Sequence, residues 1–471
     1  MTLILDLGVI FAVAVLGVLA ARLVLPGTSR LDLLALAFPL GGGLLTFAGF
    51  LISWAGISWD LTTAIGLWLL LCAAAWILRR RLNPTEPRAQ GPSGEDLPVT
   101  RHRHLRSPRE LPIRGALIAF GLLVMAAAAT AIGRSHSNYD AAAMWIIKGY
   151  GIAKEGSIFG AQTWGAHGLA YPLNIHLLVT LFRFSTADQA PGSQLIFLLF
   201  YGATVLAVLA YWMRREITPV LCGLGVLFLA SVPILLLNST VAFPNLPMAF
   251  YVVVGGIYGT EGFFENRTRP LLLGGILLGM ASWTTIEGFQ YAAVTLVLLM
   301  LSAAWDARAR LRACLCLSVP FLLMTGVWMV FYQRYGASGS QAIGTLNTML
   351  AAIKTGDYNL VELRLIFGYM RRYLFEVNTW GGLFSVGGVI LLLGALKLRD
   401  TLVPEAFTLV LLFAGTGALT YALFYLRSFV TSDFLAWLMR GFLRGFLSSA
   451  IFFATAVILA APTAAVTAER R

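Results

Sequence analysis

Leu3-Ile-Leu-Asp-Leu-Gly-Val-Ile-Phe-Ala-Val-Ala-Val-Leu-Gly-Val-Leu-Ala-Ala-Arg-Leu-Val-Leu25 carries two charges, Asp6 and Arg22, in an otherwise apolar run. A helix needs about 20 apolar residues to cross the hydrocarbon core of a bilayer, and this run supplies them. It is too long for the core of a signal peptide and has no basic segment ahead of it, so it is expected to stay as a helix. The same ruler marks further apolar segments near 33–55, 61–79, 112–133, 193–212, 219–237, 245–261, 271–286, 289–306, 312–332, 382–397, 402–425 and 442–465. The expectation is an all-α polytopic membrane protein of about 13 spans with no sizeable soluble domain.

Composition leads to the same class. Of 471 residues, 58% are hydrophobic and 12% charged, with a mean hydropathy of +0.80. A soluble domain carries roughly 25% charged residues. The net charge of +12 does not indicate nucleic acid, because the basic residues are dispersed between apolar segments. Cys72, Cys222, Cys314 and Cys316 lie inside apolar segments and read as small hydrophobes.

Lys and Arg in the connections set the orientation, since they collect on the cytoplasmic side. Thirteen alternating spans put 22 of the 34 basic residues on one face and 12 on the other. The richer face holds the connections near 22–32, 79–114, 213–218, 262–270, 305–312 and 397–401 and the C-terminal tail, so it is expected to be cytoplasmic. The N-terminus is then outside and the C-terminus inside. Residues 1–80 form three leading helices and 81–111 a basic linker rich in Arg, Pro and Gly. Residues 112–465 form the main transmembrane module and 466–471 a cytoplasmic tail.

The outer face has two long connections, 133–192 and 333–381, with amphipathic, aromatic stretches at Ala141–Tyr150 and Leu360–Phe375. These are expected to lie in the interface as helices, and long ordered loops usually carry function. Asp140 comes directly before the first stretch. It suits a helix N-cap, and it equally suits a general base held at the membrane–water boundary.

Four segments carry a resemblance. Tyr139-Asp140 after a span, then an amphipathic run and Tyr171-Pro172-Leu-Asn-Ile-His-Leu-Leu, resembles the first external loop of GT-C glycosyltransferases, in particular the protein O-mannosyltransferase and lipid A aminoarabinose transferase group. Val241-Ala-Phe-Pro-Asn-Leu-Pro-Met-Ala-Phe250 resembles the segment in which an acidic residue precedes Leu/Ile-Pro-Leu-Ala-Phe. Gly279-Met-Ala-Ser-Trp-Thr-Thr-Ile-Glu-Gly288 resembles the small-residue helix ending in Lys-x-Glu-Gly, and Ser432-Asp433-Phe-Leu the late Ser-x-Asp-Arg-Leu segment. The likeness covers roughly residues 112–465.

The resemblance implies an inverting transferase that takes a sugar from a polyprenyl-phosphate donor on the outer leaflet. Asp140 would be its general base. Tyr139, Tyr171, Asn245, Glu287 and Asp433 would line the substrate pocket, and His167, by its Gly-rich stretch Trp164-Gly-Ala-His-Gly168, would shape the pocket's entrance. Ala141 stands where many relatives have a second acid, Asn245 replaces the acid before Leu-Pro, Thr285 replaces the Lys, and Phe434 follows Asp433. Losing the paired carboxylates weakens the case for a tightly held divalent metal without excluding one, so no metal or other cofactor is indicated, and the acceptor class stays open.

The outer arginines point independently to a phosphate-bearing ligand. Arg364, Arg371 and Arg372 share one interfacial segment, and Arg427, Arg440 and Arg444 flank the last span. A guanidinium fork donates two parallel bonds to phosphate; snorkelling to headgroups is the alternative. Of these, Arg364, Arg371, Arg372, Arg440 and Arg444 are assigned to the donor phosphate.

Glu287 sits in a tight connection, where it either serves the site or caps the helix beginning at Gly288. His136, His167 and His176 fall in the first outer loop without a zinc spacing. The pairs Gly275/Gly279 and Gly441/Gly445 read as helix-packing faces.

The expected activity is therefore sugar transfer onto a lipid, polysaccharide or protein acceptor among membrane lipids, in a bacterial inner membrane. A transporter or lipid flippase, or a non-catalytic envelope scaffold, is the alternative.

Overall fold

The computed structural model describes residues 2–82, 111–133, 141–164, 169–184, 192–302, 307–336, 351, 354–355, 360–397, 404–428, 438 and 443–460. The helices are α1 (Thr2–Val24), α2 (Arg30–Trp54), α3 (Leu61–Leu82), α4 (Leu111–Gly133), α5 (Ile147–Glu155), α6 (Gly160–Thr163), α7 (Asn174–Arg183), α8 (Gly192–Arg214), α9 (Pro219–Ala230) and α10 (Pro233–Ser239). There follow α11 (Asn245–Phe264), α12 (Thr268–Thr284), α13 (Ile286–Leu301), α14 (Ala307–Tyr335), α15 (Leu360–Leu374), α16 (Val377–Trp380), α17 (Leu383–Lys397), α18 (Pro404–Ser428) and α19 (Leu447–Ala460). A π-turn, Ala142–Ile146, runs directly into α5. There is no strand among the described residues.

Among the described residues, seven helices are long and apolar enough to cross a membrane: α1, α2, α3, α4, α8, α14 and α18. The pair α9 and α10 makes an eighth if its 62° bend is one broken span. The chain is thus a polytopic α-helical membrane protein. The sequence-based count of about 13 also includes shorter pieces, among them α12 with 17 residues, α13 with 16 and α19 with 14. The bend has a local cause. Pro233 pushes Val232 out of helical geometry, to φ −61 and ψ 113.

Small residues let the backbones meet. A Cβ on Gly17 of α1 would overlap the carbonyl oxygen of Ala37 in α2, and one on Gly41 would overlap that of Val13. This close approach takes the place of hydrophobic driving force between helices in lipid.

Buried charges fix the end of the bundle where α2 starts and α8 and α11 finish. Arg214 grips Glu261 with two arms (Nε–Oε1 3.0 Å, Nη2–Oε2 2.8 Å) and also pairs with Asp32. The Tyr258 hydroxyl donates to Asp32 at 2.9 Å. Beside it, Arg215 lies 2.8 Å from Glu405 and 2.9 Å from Glu265. This clasp joins α2, α8, α11 and α18.

The opposite end holds the segment between α4 and α8. The Trp59 amide donates to the Gly156 carbonyl at 2.7 Å, and the Ile158 amide to Ser53 Oγ at 3.2 Å. Asp6 of α1 accepts from the Gly192 amide at 3.1 Å. The starts of α1, α3 and α8 and the end of α2 therefore share the loop-bearing end.

Candidate functional site

The loop-bearing end is built inward from α7. Asn174 sits at the start of that helix, fully buried, and its side chain ties three elements together. It accepts from Thr46 of α2 at 2.7 Å and donates to Thr284 of α12 at 2.9 Å. Trp283 adds its indole N–H to Thr46 at 3.3 Å. The amphipathic stretch after α4 is thus drawn into the bundle, with the π-turn and α5 packed over α7.

Within that stretch the carbonyl of Met144 lies 3.0 Å from His176 Nε2. The π-turn widens the backbone, and such turns recur at functional sites. The ring of Trp145 stacks on His176 at 5.1 Å and meets Tyr171 edge-on at 5.3 Å. Lys148, one turn further on, is fully buried with its ammonium 5.6 Å from the Tyr171 ring. Burial pushes the Lys148 ammonium down to about 8. Burial, and then the Lys148 charge, hold His176 at about 3, so this imidazole is neutral at physiological pH. Nearby, Arg183 lies over the Tyr150 ring at 4.0 Å.

A second group of contacts surrounds the α12–α13 junction. Thr285 is extended (φ −149, ψ 162), and its hydroxyl accepts from the Gly288 amide at 2.8 Å. Thr285 is therefore the cap of α13, the role that the sequence left open for Glu287; Glu287 lies half-buried in the first turn. The Thr285 hydroxyl also donates to Met248 Sδ at 3.2 Å. Tyr291, one turn after Glu287, donates to the Gly445 carbonyl at 2.9 Å. Arg444 lies over the Phe243 ring at 4.0 Å, two residues before Asn245 opens α11.

Arg364, Arg371 and Arg372 are exposed on the side of α15 away from its buried Ile366, while Tyr421 of α18 bonds the Leu363 carbonyl at 3.1 Å. They share that outward side with exposed Val361 and Leu365. Their helix packs against α18 and α16. Tyr139, Asp140, His167, Asp433 and Arg440 lie outside the described residues. No group of three or more His, Cys, Asp or Glu side chains that could hold a metal occurs among the described residues.

Lys148 was not singled out from the sequence. Its only signal there is a lone cation in the apolar run Ala141–Tyr150. The clasp around Arg214 was missed as well, because Asp32 and Arg214 are 182 residues apart.

A model of a family of unknown function, DUF6541, matches residues 10–349, and the chain belongs to that family. No curated protein and no solved structure matches it.

Proposed function

We propose that this DUF6541 protein moves a sugar from a polyprenyl-phosphate donor to an acceptor hydroxyl at the loop-bearing end of its helices. One observation supports this most. Side chains link three of the segments that resemble GT-C enzymes, Asn174 to Thr284 and Thr285 to Met248, and Arg444 adds its contact with Phe243. Segments scattered over some 270 residues of chain thereby surround one end of the bundle.

In this reading Asp140 takes the proton from the acceptor hydroxyl, and the freed oxygen attacks the anomeric carbon. The bond from that carbon to the phosphate oxygen breaks, and polyprenyl phosphate leaves with the electron pair. Such a mechanism needs a positioned base and a counter-charge for the leaving phosphate. In this reading Arg444 and Arg440 supply that charge, and Tyr171, Asn245 and Glu287 shape the pocket. The exposed Arg364, Arg371 and Arg372 would meet the lipid phosphate at the surface. The acceptor is a lipid, polysaccharide or protein. The membrane is a bacterial inner membrane, with the basic linker on the cytoplasmic side and the N-terminus outside.

The test compares wild type and Asp140→Asn in lipid nanodiscs with a panel of polyprenyl-phosphate sugars and membrane extract as acceptor source. Mass spectrometry should find polyprenyl phosphate released by wild type alone. Equal release by both would remove Asp140 from the mechanism.

The bent pair α9 and α10 favours a second reading, a transporter or flippase, since broken helices often mark transport sites. An open groove of about 330 Å³ lies against the bend, lined by Leu123, Ala127, Thr130, Pro233 and Leu236. In the same nanodisc panel this reading predicts donor binding without release of polyprenyl phosphate.

A further inference from the structure

Most fully buried charges among the described residues have a partner. Asp6 accepts a backbone amide, Asp32 and Glu261 share Arg214, and Glu405 is held by Arg215 and Tyr211. Lys148 is as buried as any of them, yet its ammonium has no hydrogen-bond partner among the described residues. An unpaired buried charge is costly, so a retained one calls for a partner.

The walls around it narrow the choice. Trp145, Tyr171 and His176 offer ring faces and edges, and the imidazole stays neutral. No described carboxylate neutralises the ammonium, so the partner must bring negative charge. Aromatic walls also suit an apolar group attached to that charge. α7, on which this group sits, packs in turn against α2 and α8.

We propose that Lys148, beside the ring cluster of Tyr171, His176 and Trp145, receives an anionic phosphate oxygen of a lipid-linked ligand. That the lipid is a polyprenyl phosphate rests on the transfer reading above; that the site takes an anion does not. Lys148 donates to the phosphate oxygen, while Tyr171 and Trp145 exclude water and strengthen the contact.

The test uses the full chain in nanodiscs of zwitterionic lipid containing C55 polyprenyl phosphate or uncharged C55 polyprenol, with retained lipid read by native mass spectrometry. Wild type should retain the phosphate in preference to the alcohol. Lys148→Met should lower retention of the phosphate by about 10–100-fold, the effect of a lost charged hydrogen bond. Lys148→Arg should keep most of it. Lys148→Met removes a buried charge and should raise the thermal midpoint of the ligand-free protein, so weaker retention cannot be put down to unfolding. Inorganic phosphate that competes in a Lys148-dependent way would support an anion site filled from water; lack of competition would support one filled from lipid.

Unchanged retention in Lys148→Met would overturn the site. So would a fall in thermal midpoint for Lys148→Met matched by Asp140→Asn, because the partner would then be internal. Lys148-dependent retention without sugar release would keep the site and sink the transfer reading. Release that is lost in Asp140→Asn but unchanged in Lys148→Met would do the reverse.

Discussion

Arg214 offers the sharpest test of how the bundle is held. Its guanidinium donates to Glu261 through Nε and Nη2 and pairs with Asp32, and both carboxylates are about 95% buried. Arg214→Met would leave two like charges facing each other away from water. Breaking a buried pair from one side costs about 3–5 kcal/mol, most of it the stranded charge. Arg214→Lys keeps the charge and loses the fork, so its cost should be smaller, about 1–3 kcal/mol. The decisive variant is Asp32→Asn/Arg214→Met/Glu261→Gln, which strands no charge and should be more stable than Arg214→Met alone. Thermal unfolding of the four proteins in nanodiscs, read by intrinsic Trp fluorescence, ranks them. If the triple variant falls below Arg214→Met, or if Arg214→Met matches wild type, the clasp does not stabilise the bundle in this way.

Three further outcomes follow from the same structure. The Lys148 ammonium is pushed down to about 8 from 10.5, so ligand-free folded protein binds fewer protons there than unfolded chain in that window. Stability relative to Lys148→Met should therefore rise by up to about 3 kcal/mol between pH 8 and 10.5 and be flat below, as thermal midpoints across pH will show. Asn174→Leu removes the side-chain link between Thr46 and Thr284, whose hydroxyls keep the carbonyls of Gly43 and Met280, and should cost about 0.5–1.5 kcal/mol, with faster proteolysis near α7 as the local readout. Gly17→Leu forces a side chain into the Ala37 carbonyl and should cost about 1–3 kcal/mol or more, whereas Gly66→Leu, in open space on α3, should be near neutral in the same thermal assay.

The helices could be read from sequence because lipid demands long apolar runs. The segment expected at 112–133 is Leu111–Gly133, and the helix expected at 360–375 is Leu360–Leu374. Pro233 could have signalled the bend inside the segment taken as 219–237. Thr285 with Gly288 could likewise have been read as a cap, leaving Glu287 in the first turn. The burial of Lys148 could not, because it depends on α7 packing beneath the π-turn and on rings from Trp145 and Tyr171. The Arg214 clasp is illegible for the same reason: its partners come from three other helices, and no spacing along the chain joins them. The four resembling segments could be ordered in sequence, but only the fold shows Asn174 and Thr285 linking three of them.

The most direct test of the account is the leaflet from which the donor is consumed. Proteoliposomes would be sorted for chains whose 83–110 linker lies inside, and a polyprenyl-phosphate sugar delivered to the outer leaflet alone or the inner leaflet alone, with acceptor extract on the same side. The account predicts polyprenyl phosphate released from donor in the outer leaflet, opposite the linker, and none from the linker side. Release from the linker side, or donor crossing between leaflets with its sugar intact, would contradict it.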